Sequence, residues 1–256
     1  MRTPFIAGNW KMNKSPSQAV ELVSDLKERV ADVDDVDMAV CPPAVSIPDV
    51  VEELKHSDIK IGAQNMHWKD SGSYTGEISP PMLNDLGIDY VILGHSERRE
   101  YFNETDEEIN LKVKKALKSG LKPIICVGES LEDREAGRTK EKVSFQVKAG
   151  LAGVPEEKIT DVTIAYEPLW AIGTGESASA EDAASTIETV REIISEMSPG
   201  SEKRVRIQYG GSVKPHNIEK FIAKPAIDGA LVGGASLTAE SFAGVIKKCQ
   251  NRGQSR

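Results

Sequence analysis

Cysteine is scarce: Cys41, Cys126 and Cys249 lie far apart in a chain of 256 residues and form no CxxC pattern. An odd, dispersed set of thiols supports neither a disulfide framework nor a zinc site, and it points to a reducing compartment. Positive charge is also in deficit, with 32 Lys and Arg against 40 Asp and Glu for a net charge of −8. That balance argues against a nucleic-acid partner, which needs a clustered basic face. One phosphate held on backbone N–H groups stays compatible with it. No apolar run approaches the roughly 18 residues of a membrane span, and the start of the chain through Phe5–Lys11 lacks the basic and long apolar regions of an export signal. The expectation is a soluble, cytoplasmic protein with no membrane partner. There is no GxxxxGK[ST] loop and no metal-ligand spacing, since His56, His67 and His216 are dispersed. No Gly/Ser/Pro-rich linker marks a boundary either, so residues 1–256 read as one domain.

What is present is a repeated alternation. Eight short apolar runs recur: 5-FIAGN, 37-DMAVC, 59-IKIGAQN, 90-YVILGH, 123-PIICVG, 162-VTIAYE, 205-VRIQYGG and 229-GALVGG. They are too short for helices and largely lack the alternation of a half-exposed strand, which suits a parallel sheet covered by helices. Between them lie helical stretches with start and stop signals. Ser15-Pro16-Ser17-Gln18 and Thr105-Asp106-Glu107-Glu108 read as capping boxes, Ser179 and Thr238 as further N-caps, and Gly120 as a left-handed stop. Ile109, Leu111, Val113, Ala116 and Leu117 are the expected buried stripe of one helix. Eight βα units imply right-handed crossovers and closure into a single (β/α)8 barrel, with an open doubly wound sheet as the rival.

In such a barrel the chemistry sits where the strands end. The residues there are Asn9 and Lys11, Gln64 and Asn65, His95, Glu129, Glu167, Ser212, and Gly233-Gly234. Glu167 ends the sixth run and precedes Pro168, which forces an extended exit. It reads equally as a general base or as a rim carboxylate paired with a neighbouring cation. The apolar Leu169-Trp170-Ala171-Ile172, bounded by Gly173-Thr174-Gly175, reads as a closing lid or as a permanently docked loop. Gly173 to Ala178 also matches G-x-G-x-x-A, but five residues separate it from the strand, unlike a dinucleotide turn. Gly210-Gly211-Ser212 and Gly233-Gly234 end the last two runs, where barrels hold phosphate on backbone N–H groups, and Gly173 could add a donor. His95 precedes a helix capped by Ser96, whose positive end favours a neutral imidazole. Lys11 lies past its strand, which makes a Schiff-base role less attractive than charge stabilisation.

The stretches 8-GNWKMN, 62-GAQN, 73-SYTGE, 91-VILGHSERR, 165-AYEPLWAIGTG, 209-YGGSV and 228-DGALVGGASL resemble the triosephosphate isomerase family in order and spacing. The resemblance implies a cofactor-free isomerase of glycolysis and gluconeogenesis, interconverting dihydroxyacetone phosphate and D-glyceraldehyde 3-phosphate. It carries over Glu167 as base, His95 as a neutral electrophile and Lys11 with Asn9 as stabilisers of the enediolate. Phosphate contacts fall to Gly173, Ser212, Gly233 and Gly234. It also implies Glu97 beside Lys11, an Arg191–Asp228 ion pair beneath the site, and a homodimer built through the Gly72–Glu77 loop around Thr75. Where many members have Lys-Thr after the lid glycine, this chain has Glu176-Ser177. A Schiff-base aldolase and a phosphate-binding protein without catalysis are the competing readings.

Overall fold

Each short apolar run becomes a strand in the computed structural model, which describes residues 2–171 and 178–250. In chain order the elements are β1 (Phe5–Asn9), α1 (Pro16–Arg29), β2 (Asp37–Cys41), α2 (Ile47–Glu53), β3 (Lys60–Ala63), α3 (Pro80–Asp85), β4 (Tyr90–Leu93), α4 (Ser96–Phe102) and α5 (Asp106–Lys118). They continue with β5 (Lys122–Val127), α6 (Leu131–Glu135), α7 (Thr139–Gly150), α8 (Glu156–Ile159), β6 (Thr163–Tyr166), α9 (Ala180–Met197), β7 (Arg206–Tyr209), α10 (Ile218–Ile222), β8 (Gly229–Val232) and α11 (Ala239–Lys247). The strands pair in parallel in chain order, and β1 closes on β8 with Phe5 opposite Gly229 and Gly8 opposite Val232. That seam excludes the open doubly wound sheet.

Burial on both faces explains why the strands show so little alternation. Phe5, Ala7, Ala39, Cys41, Tyr90, Ile92, Ile124, Cys126, Ala165 and Leu231 form one cluster, inside the barrel. Alternate residues such as Ile6, Val40, Leu93, Ile125, Ile164 and Ile207 join the larger core against the helices. The seam requires one glycine in particular. Gly229 has φ +146°, and a Cβ there would stand 1.9 Å from the Phe5 carbonyl oxygen.

The capping signals at Thr105, Gly120, Ser179 and Thr238 act as written. Thr105 Oγ1 accepts from Glu108 N–H at 3.2 Å while Thr105 N–H donates to Glu108 Oε2 at 3.0 Å, and Gly120 takes φ +81° after α5. Ser179 and Thr238 accept from Asp182 and Ser241 N–H. The stripe on α5 needs one correction: Leu111 is 43% exposed. The neighbouring Lys112 is buried instead, its ammonium paired with Glu104 and donating to Asn65 Oδ1 at 2.9 Å.

At the N-terminal end of the barrel, Asp228 precedes β8 and is fully buried. Its Oδ1 accepts from Arg2 Nε at 2.7 Å and its Oδ2 from Ile207 N–H at 2.9 Å and from Arg191. The Arg191–Asp228 pair thus lies at the opposite end from the strand termini. There the guanidinium also binds the carbonyls of Glu202, Val205 and Ala226.

Candidate active site

A cleft of about 460 Å³ opens at the C-terminal ends of the strands, and Asn9, Lys11, His95, Glu167, Ser212, Gly233 and Gly234 line it. These residues come from β1 and the segments after β1, β4, β6, β7 and β8, so barrel closure is what gathers them. Gly173 and the hinge pair Glu176-Ser177 lie outside the described residues.

Glu167 follows β6 directly. Its N–H donates to Val127 O at 2.7 Å, and glycines clear the space around it. A Cβ on Gly128 would meet the Glu167 carbonyl oxygen at 1.7 Å, and one on Gly210 would meet Glu167 Cγ at 2.9 Å. The carboxylate is buried, with Oε1 2.9 Å from His95 Nε2 and Oε2 accepting from Ser96 N–H at 3.0 Å. Its partner is therefore an imidazole and an amide, not the Lys or Arg of a rim ion pair. Burial pushes the Glu167 carboxyl upward, but His95, Ser96 N–H and Lys11 outweigh it and hold the pKa below the ordinary glutamate value. In this position the group is a weak base, and separation from His95 would restore its basicity.

His95 itself is the N-cap of α4, a role the sequence assigned to Ser96; Ser96 is instead the first helical residue. The cap is made by the ring, whose Nδ1 accepts from Glu97 N–H at 3.2 Å. An acceptor Nδ1 places the single proton of the neutral ring on Nε2, facing Glu167 and the cleft. Burial opposes charge on this imidazole, whereas the Glu167 carboxylate and, behind it, Glu97 outweigh burial and raise the pKa from its ordinary value. The larger part of that upward pull belongs to Glu167 in this position and would leave if the carboxylate turned away. Burial, the Glu97 N–H and the positive end of α4 then all favour the neutral ring.

Lys11 is aimed by its own backbone. It adopts φ +52°, a left-handed conformation uncommon for a residue with a side chain. Asn9 Oδ1 accepts its N–H at 3.0 Å, and Gln64 Nε2 donates to the Lys11 carbonyl at 2.8 Å. The ammonium meets Glu97 Oε1 at 2.5 Å. Beside it, Gly233 has room for the lysine stem, 3.6 Å from where a Cβ would lie.

The sequence placed Glu129 at a strand end without a task. It is fully buried, and its Oε1 accepts from both Tyr166 Oη and Trp170 Nε1 at 3.0 Å. Its carbonyl accepts Leu169 N–H at 3.2 Å. Tyr166 and Trp170 flank Glu167 and Pro168, so one carboxylate grips the chain on both sides of the candidate base. The Arg134 guanidinium lies 4.3 Å over the Trp170 ring and pairs with Asp182 of α9 at 3.2 Å. Glu129 follows β5, some forty residues from Tyr166 and Trp170, so no pattern within one segment signalled this grip.

A second cavity of about 360 Å³ shares Asn9, Lys11 and His95 with the first and reaches Met12, Gly76, Glu77 and Phe102. Met12, Val45, Tyr74, Met82, Tyr101 and Phe102 are large exposed apolar side chains, Met12 at 96%. The exposed loop from 72 to 77 is braced by His67, whose ring lies 4.1 Å from both Trp68 and Tyr74. Among the described residues no cluster of His, Cys, Asp and Glu could hold a metal ion, and no helix is long and apolar enough to cross a membrane.

Comparison with known proteins gives a consistent result. The profile of the family described as triosephosphate isomerase matches residues 4–249. The triosephosphate isomerase of Carboxydothermus hydrogenoformans is 57% identical over 249 residues, covering 96% of this chain and 99% of that protein. Those of Clostridium botulinum (strain Langeland) and Caldanaerobacter subterraneus subsp. tengcongensis are 56% and 55% identical, with the same coverage.

Proposed function

We infer, from the premise that this chain belongs to the triosephosphate isomerase family, how its own residues carry the family's reaction. The protein is an isomerase that interconverts dihydroxyacetone phosphate and D-glyceraldehyde 3-phosphate. Glu167 takes the proton from the carbon beside the carbonyl; the electron pair of that C–H bond becomes the new C=C bond, and the C=O π pair moves onto oxygen to give an enediolate. His95 Nε2–H donates to that oxygen, and the ring passes the proton between the two oxygens. Glu167 then returns its proton to the neighbouring carbon. Lys11 and Asn9 stabilise the charge that grows on oxygen, and such preorganised donors are worth roughly 3–4 kcal/mol each. The phosphate rests on N–H groups of Ser212, Gly233 and Gly234, with Gly173 as a fourth donor.

One observation carries this reading: His95 Nδ1 accepts the Glu97 N–H, which leaves Nε2, 2.9 Å from Glu167 Oε1 and facing the same cleft, as the nitrogen that bears the proton of a neutral ring. Only a proton there can polarise a carbonyl presented to Glu167. The test is turnover of D-glyceraldehyde 3-phosphate by the protein and by Glu167→Gln, where loss of the base should lower kcat about 10³-fold. Equal rates would remove Glu167 from the mechanism.

The protein works as a homodimer, with the loop around Thr75 of one copy in the Met12–Phe102 socket of the next. The exposed apolar side chains around a cavity that touches Lys11 and His95 support this. Light scattering should give twice the chain mass of 27.8 kDa. Residues 1–256 act as one domain, because the barrel closes only when β1 meets β8. The cytoplasm is the compartment that suits three buried free thiols.

A further inference from the structure

The cleft extends further than a single triose phosphate requires. Clefts of a few hundred Å³ accommodate drug-sized ligands, and this one runs beyond Ser212, Gly233 and Gly234 to Lys214, Pro215, His216 and Ser241. That outer wall is pinned in place. Lys214 N–H donates to Asn217 Oδ1 at 2.8 Å, Asn217 Nδ2 donates to Ser212 O at 3.0 Å, and Asn217 N–H donates to Lys214 O at 3.1 Å. Pro215 rests on α11, 3.3 Å from where a Cβ on Gly244 would lie. The backbone carrying Lys214 and His216 is therefore fixed from two sides.

Among the described residues the Lys214 charge on this wall is uncompensated. Neither the Lys214 ammonium nor the His216 ring makes an ion pair or hydrogen bond among the described residues, whereas surface lysines such as Lys27, Lys140 and Lys148 have carboxylate partners. Among the described residues Glu167 is the one carboxylate lining the cleft, and it is turned to His95. A protein of net charge −8 thus presents two basic side chains at the mouth of a cleft whose inner end offers backbone N–H groups.

We propose that Lys214 and His216 form a second anion subsite, so that the cleft takes small bisphosphates with one phosphate on the inner loops and the other on this wall. Such compounds compete with the triose substrate. The subsite rests on the reading of Ser212, Gly233 and Gly234 as the inner phosphate site, and it adds nothing to the isomerisation itself.

Competitive inhibition tests it, with propyl phosphate as the one-headed probe and the bisphosphates of propanediol, butanediol and hexanediol as a length series. The best bisphosphate should bind about tenfold more tightly than propyl phosphate, as a second charge-assisted contact allows. In the double variant Lys214→Gln/His216→Gln the advantage should shrink to about the twofold of two equivalent phosphate groups, with propyl phosphate inhibition and triose turnover unchanged. Raising the salt concentration should shrink it in the parent as well. A parent advantage no greater than twofold, or one that survives the double substitution, overturns the subsite and leaves the inner site standing. Failure of propyl phosphate to compete overturns the inner site, and the subsite with it.

Discussion

At the N-terminal end of the barrel the Asp228 carboxylate sits under Arg2, Arg191 and the Ile207 N–H, while at the opposite end the Glu167 carboxylate sits between His95 and the Ser96 N–H. Both groups are withdrawn from solvent. Their donors differ in kind. Guanidinium groups keep their charge at any ordinary pH and bind two oxygens at once, and Arg191 is further fixed by three backbone carbonyls. Among the described residues Glu167 is held by an imidazole, an amide and the Cys126 thiol, none of them permanently charged, and an open cleft lies beside it. A buried carboxylate is structural where its partners are permanent and space is absent. It is available for chemistry where its partners can be exchanged for a ligand.

Two substitutions should separate the ends most sharply. Asp228→Asn leaves Arg191 and Arg2 without their counter-charge and should cost about 3–5 kcal/mol of stability. The folded fraction should keep its turnover. Glu167→Gln should do the reverse, lowering kcat about 10³-fold while the urea midpoint, measured in alkaline solution where His95 has lost its proton, stays near that of the parent. A large loss of both properties in either variant would break the distinction.

The grip of Glu129 on either side of Glu167 comes next. Trp170→Phe removes one of the two donors to a buried carboxylate oxygen, a loss worth about 1–3 kcal/mol. If this grip sets the position of Glu167, kcat/KM should fall about tenfold. A variant with lower stability and undiminished kcat/KM would show Glu129 to be a purely structural group.

Proton linkage offers a finer probe. Because Glu167 raises the His95 pKa, Glu167→Gln should lower it, as followed by nitrogen NMR of the imidazole; an unmoved titration would show that the two groups do not interact. The sign for stability follows from the same shifts. The depressed Glu167 contributes above the ordinary glutamate pKa and loses its contribution as pH falls through its lowered value. The raised His95 contributes below the ordinary histidine pKa and loses its contribution as pH rises through its raised value. The stability difference between parent and Glu167→Gln should therefore be largest between those two ordinary values, in weakly acidic solution.

Away from both ends, Thr105→Ala deletes the cap of α5 and should cost about 1 kcal/mol with no change in kcat. Calorimetry and turnover on one sample would check both statements.

The order of the strands, their closure and the side chains at their tips were legible because parallel strands buried on both faces leave short apolar runs with polar ends. Caps were legible where an oxygen-bearing side chain stands three residues before its N–H partner, as at Thr105. His95 escaped because a ring nitrogen can do the work of a hydroxyl, and Ser96 beside it was the more familiar cap. Lys112 escaped because a lysine in a helix reads as solvent-facing until Glu104 and Asn65 are brought to it by the fold. The left-handed turn at Lys11 depends on Gln64, more than fifty residues away. Patterns within a segment report which face is apolar, and pairings between segments require the fold.

On the proposed mechanism Glu167 carries the proton between the two carbons of the triose. Turnover in heavy water measures this directly, by the deuterium found on the carbon beside the carbonyl. The parent should place solvent deuterium there, and Glu167→Gln should place none above the uncatalysed rate. Deuterium appearing at the parental rate in Glu167→Gln would assign the transfer to another group.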